Sequence, residues 1–261
     1  MRTLFLITAR LKSTRLPRKL LLDLGGKPAI VQMVERLKYA QRISDIVICT
    51  STHPDDDALC DVARQQGILW FRGSEEDVLD RLHQAARHLA ADYVVNTTAD
   101  CPLVDPEHVD KTVDEYRQTG ADLLTAYRLP HGAYAWGIKV QALGRACDIK
   151  AETDTEVWRD YFEKTGRFDV RELEIAPALQ RPELRITLDY PEDLAVLRRI
   201  FEALDVSGRL ITLRDIIAWL DAHPEVVAMN RHCAALYHQH RRGAAPMRLK
   251  GTMETAQKRS S

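Results

Sequence analysis

Runs of apolar residues of strand length alternate with stretches in which apolar residues return every three or four positions. Residues 3–9 (TLFLITA) form a continuous apolar run that breaks into a basic stretch containing Pro17. Such a run, closed by a breaker, predicts a buried strand feeding a loop. After Gly25 and Gly26, Pro28 suits the first turn of a helix, and Ile30, Val31, Val34 and Leu37 keep helical spacing to about Ala40. Residues 45–50 (DIVICT) are the next buried strand. Pro54 with Asp55, Asp56 and Asp57 starts a helix with acids at the positive end of its dipole, and Gly67 is placed to end it. The rhythm continues with a strand over 68–71, a helix over 75–89, a strand over 93–97, a helix over 106–119 and a strand over 122–127. Strands alternating with helices of this length predict βαβ units and a largely parallel sheet covered on both faces.

From 129 to about 180 the rhythm loosens. Gly132, Gly137 and Gly144 separate short apolar pieces, and a single helix is expected over 154–165. This predicts a small inserted subdomain over 129–180. A strand resumes at 184–188 (LRITL), and helices follow at 191–203 and 213–223. Beyond about 241 the chain is basic and polar without an apolar period, which predicts disorder from about 242. The expected organisation is one α/β domain over 1–225 and a C-terminal extension over 226–261, with no internal repeat.

At 261 residues and 45% hydrophobic the chain is long enough to bury a full core. Its 37 basic and 38 acidic residues leave a formal net charge of -1, so no global field draws it to nucleic acid or to a membrane surface. Any anion binding must be local. The five cysteines show no C-x-x-C pair and no Cys/His spacing of a zinc site, and they read as buried thiols of a reducing compartment. The first apolar run is too short for a signal sequence, and no stretch approaches the roughly 18 apolar residues of a membrane span. A cytoplasmic protein is expected.

Three constellations carry chemistry. The loop over residues 9–19 follows the first strand, and ligands of open parallel sheets sit outside that edge. Five of the ten residues from Arg10 to Lys19 are basic, Ser13 and Thr14 add hydroxyls, and Pro17 restrains the backbone. A triphosphate requires this mixture of charge, donors and restraint. Thr8 and Ala9 at the strand's end and Arg15 within the loop complete the expected contacts. No G-x-x-x-x-G-K-[ST] or G-x-G-x-x-G is present. Asp100 is the second: an apolar strand delivers this carboxylate to the ligand edge, where it can hold a hard cation such as Mg2+. Asp189 is the third, again at the end of an apolar run, although it also suits a helix N-cap. Two acids on one edge facing a basic loop describe a metal–triphosphate site. Arg72-Gly73 and Thr98-Ala99 follow strands at the same edge and are candidates for the nucleotide base, with Arg72 equally open as a surface turn residue. His131 and Tyr134 are candidates on the acceptor side, a structural role for His131 being equally open, and Trp136, Trp158 and Trp219 read as packing residues.

At these residues the chain resembles the CTP-dependent sugar nucleotidyltransferases: the 3-deoxy-manno-octulosonate and acylneuraminate cytidylyltransferases and, most closely, the spore-coat polysaccharide SpsF branch. The pattern A-R-x-x-S-T-R-L-P-x-K is matched at Ala9, Arg10, Ser13, Thr14, Arg15, Leu16, Pro17 and Lys19. Further blocks are F-R-G-S-E-E-D-V-L-D-R from Phe71, D-C-P-L at Asp100 and L-D-Y-P-E-D-L around Asp189, so the resemblance spans about three quarters of the chain. It implies a GT-A-like three-layer sandwich, CTP near the first loop, Mg2+ held by Asp100 and Asp189, Arg10 and Lys19 on the triphosphate, and a homodimer. The implied reaction moves CMP from CTP to a sugar-like acceptor of the 2-keto-3-deoxy sugar acid class and releases pyrophosphate. A phosphonate or polyol phosphate acceptor is one alternative, and a sugar-nucleotide-dependent glycosyltransferase is a second. Residues 153–162 depart from the branch's R-E-H-V-T-like segment. Glu156 lies in this stretch and joins His131 and Tyr134 as an acceptor-side candidate.

Overall fold

Side chains of β1 (Thr3–Thr8) alternate between two cores, Phe5 and Ile7 entering one and Leu4 and Leu6 the other, as a strand buried on both faces requires. The computed structural model describes residues 1–204, 210–243 and 247–250. After β1 a short ribbon, β2 (Asp23–Leu24) and β3 (Lys27–Pro28), leads into α1 (Ala29–Leu37). Then come β4 (Asp45–Ser51), α2 (Asp57–Gln66), β5 (Leu69–Gly73), α3 (Val78–His88), β6 (Tyr93–Thr98) and α4 (Pro106–Thr119). The second half holds β7 (Leu123–Thr125), β8 (Trp136–Lys139), α5 (Val140–Ile149), α6 (Asp160–Glu163) and β9 (Val170–Glu172). It ends with α7 (Pro191–Leu204), α8 (Leu213–Ala222), α9 (Pro224–Asn230) and α10 (Cys233–Arg242).

The seven-stranded sheet has the order β5-β4-β1-β6-β8-β7-β9, and β8 alone runs against the rest. Helices α1, α2 and α4 cover one face, and α3 and α5 cover the other. A third core joins α7, α8 and α9 to the segments at 121–133 and 173–188. The chain is thus an α/β sandwich of the expected class. Element ends follow local chemistry: Asp105 accepts from the His108 amide and Pro106 opens α4, while Gly120 closes it at φ 65°.

Five expectations are corrected. The 129–180 stretch is not a separate insertion, because β8 and β9 pair into the main sheet. Within it α5 goes unrecognised in the sequence, since only Ala142, Leu143 and Ala146 are buried along it and Gly144 interrupts the pattern. The helix expected over 154–165 shrinks to α6, a single turn. Residues 184–188 alternate like a strand but make only one bridge, Arg185 to His131; Leu184, Ile186 and Leu188 are apolar because they fill the third core. Finally, no boundary falls at 225, since Val226 of α9 shares a core with α7 and α8. Nor does order cease at 242: the Ala151 amide donates to the Arg248 carbonyl at 2.9 Å and the Lys250 amide to Ile149 at 2.9 Å. The rest of the expected tail, 244–246 and 251–261, lies outside the described residues. Among the described residues no helix is long and apolar enough to cross a membrane.

Candidate active site

β1 connects to β4 on one side while β6 lies on the other, so the loops after β1 and β6 part at their carboxyl ends and leave a crevice. The two strands run in register to Thr8 and Thr98, and the Ala99 amide donates to the Thr8 carbonyl at 2.9 Å. The basic loop is fixed by Asp56, whose Oδ1 accepts from the Leu11 amide at 2.8 Å and whose Oδ2 accepts from the Ser51 hydroxyl at 2.5 Å. At its far end Arg18 adopts the left-handed conformation, φ 51° and ψ 30°, and turns the chain into the short helix Lys19–Leu21. That turn delivers Lys19 to the crevice.

The Lys19 ammonium donates to Asp100 Oδ2 at 2.7 Å and to Asp189 Oδ1 at 2.8 Å. Residues distant in sequence therefore meet on one cationic group. Asp189 also accepts from Arg15 Nη2 at 2.8 Å and from Arg185 Nη2 at 2.9 Å, and the Thr98 hydroxyl donates to Asp100. Burial alone raises the Asp189 pKa, but Lys19, Arg15 and Arg185 outweigh it and hold the carboxyl far below its ordinary range. Burial likewise lowers the Lys19 pKa, but Asp100 and then Asp189 reverse this and leave it raised. Behind them Asp193 is fully buried. It accepts from Arg185 Nε at 2.9 Å and Nη2 at 2.8 Å, from the Asp189 amide at 3.0 Å and from Asn230 at 2.9 Å. Two carboxylates already clasping an ammonium are an all-oxygen donor set for a cation, which suits a hard divalent ion such as Mg2+.

Two adjoining cavities meet at this centre. The larger, ≈ 320 Å³, is lined by Thr8, Arg10, Ser13, Thr14, Arg15, Lys19, Thr98, Ala99, Asp100 and Glu156. The smaller, ≈ 140 Å³, is lined by His131 and Tyr134 together with Asp100, Asp189 and Glu156. Most of the residues expected at the site thus come together, and Glu156 borders both spaces. Ala9 sits beneath the loop in the core, its amide bonded to the Cys49 carbonyl at 3.0 Å. Arg72 and Gly73 are corrections: neither lines either of these two cavities. Arg72 instead donates to Asp57 and to the carbonyls of Ser51 and His53, while Gly73 packs on Arg81 and Phe71. The strand's register turns Arg72 toward the 51–57 segment.

Trp136 and Trp158 do pack, ring edge to face at 5.8 Å, but both also line the smaller cavity. Trp219 lies elsewhere, stacked on His223. His131 Nδ1 is 3.3 Å from Arg185 Nη1, and since a guanidinium only donates, Nδ1 accepts and Nε2 carries the proton. Burial, and then Arg185, push its pKa down to about 4.

Several residues of the site escape the sequence reading. Arg159 is buried in the smaller cavity's wall, its guanidinium 4.4 Å above the Trp136 ring, and its one hydrogen bond is a long one, 3.5 Å, to the Tyr127 hydroxyl. Neighbouring acids are taken: Asp160 by Lys164 and Arg241, Glu163 by Tyr127. Among the described residues no carboxylate pairs with Arg159. A lone arginine among Trp158, Tyr161 and Phe162 was its signal in the sequence. Tyr237, His240 and Arg241 of α10 close the same cavity, although H-Q-H-R-R reads as the start of a tail.

Residues 4–168 match the family model described as cytidylyltransferase. The spore coat polysaccharide biosynthesis protein SpsF of Bacillus subtilis is 32% identical over 80% of this chain and 92% of its own length. A 3-deoxy-manno-octulosonate cytidylyltransferase of Chloroherpeton thalassium is 36% identical, over 46% of this chain and 48% of its own. Among solved structures, a cytidylyltransferase from Leptospira borgpetersenii superposes with a TM-score of 0.77 at 28% identity, covering 87% of this chain and 97% of that one.

Proposed function

The chain belongs to the cytidylyltransferase family, and from that premise we propose that it moves CMP from CTP to a 2-keto-3-deoxy sugar acid, releasing pyrophosphate, with Mg2+ at Asp100 and Asp189. The observation that carries this reading is the meeting of both acids on Lys19 beneath the basic loop. In the larger cavity Arg10, Arg15 and Lys19 offset the charge of the triphosphate and of the departing pyrophosphate, and Ser13 and Thr14 donate to its oxygens. Thr8, Thr98 and Ala99 form the floor on which the nucleotide lies. The magnesium ion, when bound, polarises the phosphoryl group and lowers the pKa of the acceptor hydroxyl. The side chains thus position the two reactants in line and balance charge, and no covalent intermediate with the protein is required.

The smaller cavity receives the acceptor, against His131, Tyr134 and Glu156. A buried cation without a counter-ion is costly, and an anionic group of the ligand relieves that cost. Arg159 is therefore the seat for the acceptor's carboxylate. The SpsF relative aligns over most of this chain, whereas the 3-deoxy-manno-octulosonate enzyme aligns over less than half. This favours an acceptor destined for a polysaccharide over 3-deoxy-manno-octulosonate itself. Four buried, unpaired cysteines fit a cytoplasmic protein, and family resemblance favours a homodimer.

The test is pyrophosphate release by the purified protein with Mg2+, each of the four nucleoside triphosphates, and a panel of 2-keto-3-deoxy sugar acids, phosphonates and polyol phosphates. Release confined to CTP with a sugar acid supports the proposal. Turnover only with a phosphonate or polyol phosphate replaces the acceptor, since Arg159 also suits those anions. Preference for another triphosphate overturns the nucleotide assignment.

A further inference from the structure

A separate group of metal-ligating side chains lies where the first turn of α7 meets the start of α10. Cys233 Sγ is 3.7 Å from His232 Nε2 and 3.9 Å from Glu192 Oε2, and His232 Nε2 is 3.6 Å from Glu192 Oε1. Tetrahedral zinc binds sulfur at about 2.3 Å and nitrogen or oxygen at about 2.0–2.2 Å, so its ligands stand roughly 3.3–3.6 Å from one another. Taken with a single carboxylate oxygen, the three ligand atoms lie within 4.8 Å of one another, so rotation of the partly exposed Glu192 carboxylate brings three corners of such a site together. We propose that Glu192, His232 and Cys233 bind zinc, with a fourth position left to water, and that the ion staples α10 to α7.

The donor set supports a borderline-soft ion. One thiolate, one imidazole and one carboxylate suit zinc and disfavour Mg2+, which prefers oxygen alone. Both anionic ligands sit where helix dipoles stabilise negative charge, Glu192 in the first turn of α7 and Cys233 at the first residue of α10. Without a metal Cys233 is a free thiol carrying its S–H proton. Binding forms the Zn–S bond and releases that proton to solvent, so affinity weakens as pH falls. His232 and Glu192 remain partly exposed and leave a path for the ion.

The staple has a consequence for the neighbouring cavity. α10 contributes Tyr237, His240 and Arg241 to its wall, and Asp193, beside Glu192, holds Arg185 against Asp189. Tying the two helices together fixes that wall.

The experiment uses the full chain, stripped with a chelator and titrated with Zn2+ alone and with Co2+ alone. One equivalent of Zn2+ should bind and raise Tm by on the order of 5 °C, and Co2+ should give a thiolate charge-transfer band in the near ultraviolet. Cys233→Ser should abolish the band. Because Cys233 is buried, His232→Ala, at a side chain 57% exposed, provides an independent variant and should weaken Zn2+ binding at least about tenfold. No thiolate band, or Zn2+ affinity unchanged in His232→Ala, overturns the proposal. So does a band that survives Cys233→Ser and vanishes in Cys101→Ser, since Cys101 adjoins Asp100.

Discussion

Asp100, Arg159 and Asp193 each test a different kind of contribution to the site. Asp100→Ala removes one of the two acids on Lys19, and turnover should fall at least about 100-fold while CTP binding, carried by the basic loop, persists. Initial rates and a CTP binding isotherm check the split; near-normal turnover contradicts the role. Arg159→Leu removes a buried charge that has no carboxylate partner, so its sign separates function from structure. Stability should be unchanged or higher, with KM for the acceptor raised at least about tenfold and KM for CTP unaffected. A structural cation would show the opposite, a lower Tm at constant KM. Asp193 lines neither of the two cavities of the site but receives two bonds from Arg185 and one from Asn230. Asp193→Asn leaves Arg185 under-compensated in the interior, which should cost about 3 kcal/mol, read from the urea midpoint at constant m.

At the scale of elements, the close fit of β8 against β6 and α4 depends on one missing methyl. A Cβ on Gly137 would lie 2.0 Å from the Tyr93 hydroxyl and 2.4 Å from Thr112 Cγ2. Gly137→Ala should therefore force β8 away from the sheet and cost about 1–3 kcal/mol, measurable by denaturant unfolding. Wild-type stability in that variant would mean that the strand sits looser than its pairing indicates. Gly132 makes the same close approach beside the acceptor cavity, at φ +108° and over the Ile186–Thr187 peptide. Elements whose burial is their own are legible: β1, β4 and β6 carry apolar runs at 4–7, 46–49 and 93–95, and α4 carries its cap, its proline and its closing glycine. Residues 184–188 were misread because alternation reports burial on one side, not a hydrogen-bonded neighbour.

For the whole molecule, the buried titratable groups set a stability window. His131 has its pKa lowered to about 4, so between that value and its ordinary value of about 6.5 the unfolded chain binds a proton that the folded one refuses. Stability consequently falls as pH drops through that range, by roughly 1–2 kcal/mol at pH 5. The depressed Asp189 acts in the same direction lower down: its contribution is present above its ordinary pKa of about 3.9 and is lost beneath it. The raised Lys19 acts oppositely, its contribution present below about 10.4 and lost as pH rises beyond. Tm measured against pH should show a plateau from about 6.5 to 8, above which the raised thiols of Cys49, Cys101 and Cys147 cost stability, and His131→Gln should flatten the slope on its acid side. An unchanged slope in that variant means that His131 is not the group responsible.

Local composition was enough to bring the lining of the larger cavity together. A strand buried on both faces is a continuous apolar run, and the loops after parallel strands emerge at one edge, so Arg10, Lys19 and Asp100 were bound to face a common crevice. The rest of the smaller cavity's wall, beyond His131, Tyr134, Glu156 and Asp189, depended on folding. Arg159 is defined by Trp136 and Tyr127, and Asp189 by Arg15, 174 positions away, with α10 closing the wall from the far end of the chain. Each of those segments is too short to bury itself and so carries no period of its own. Their roles arise only when several are packed together, because burial shared among distant residues leaves no regular trace in any one of them.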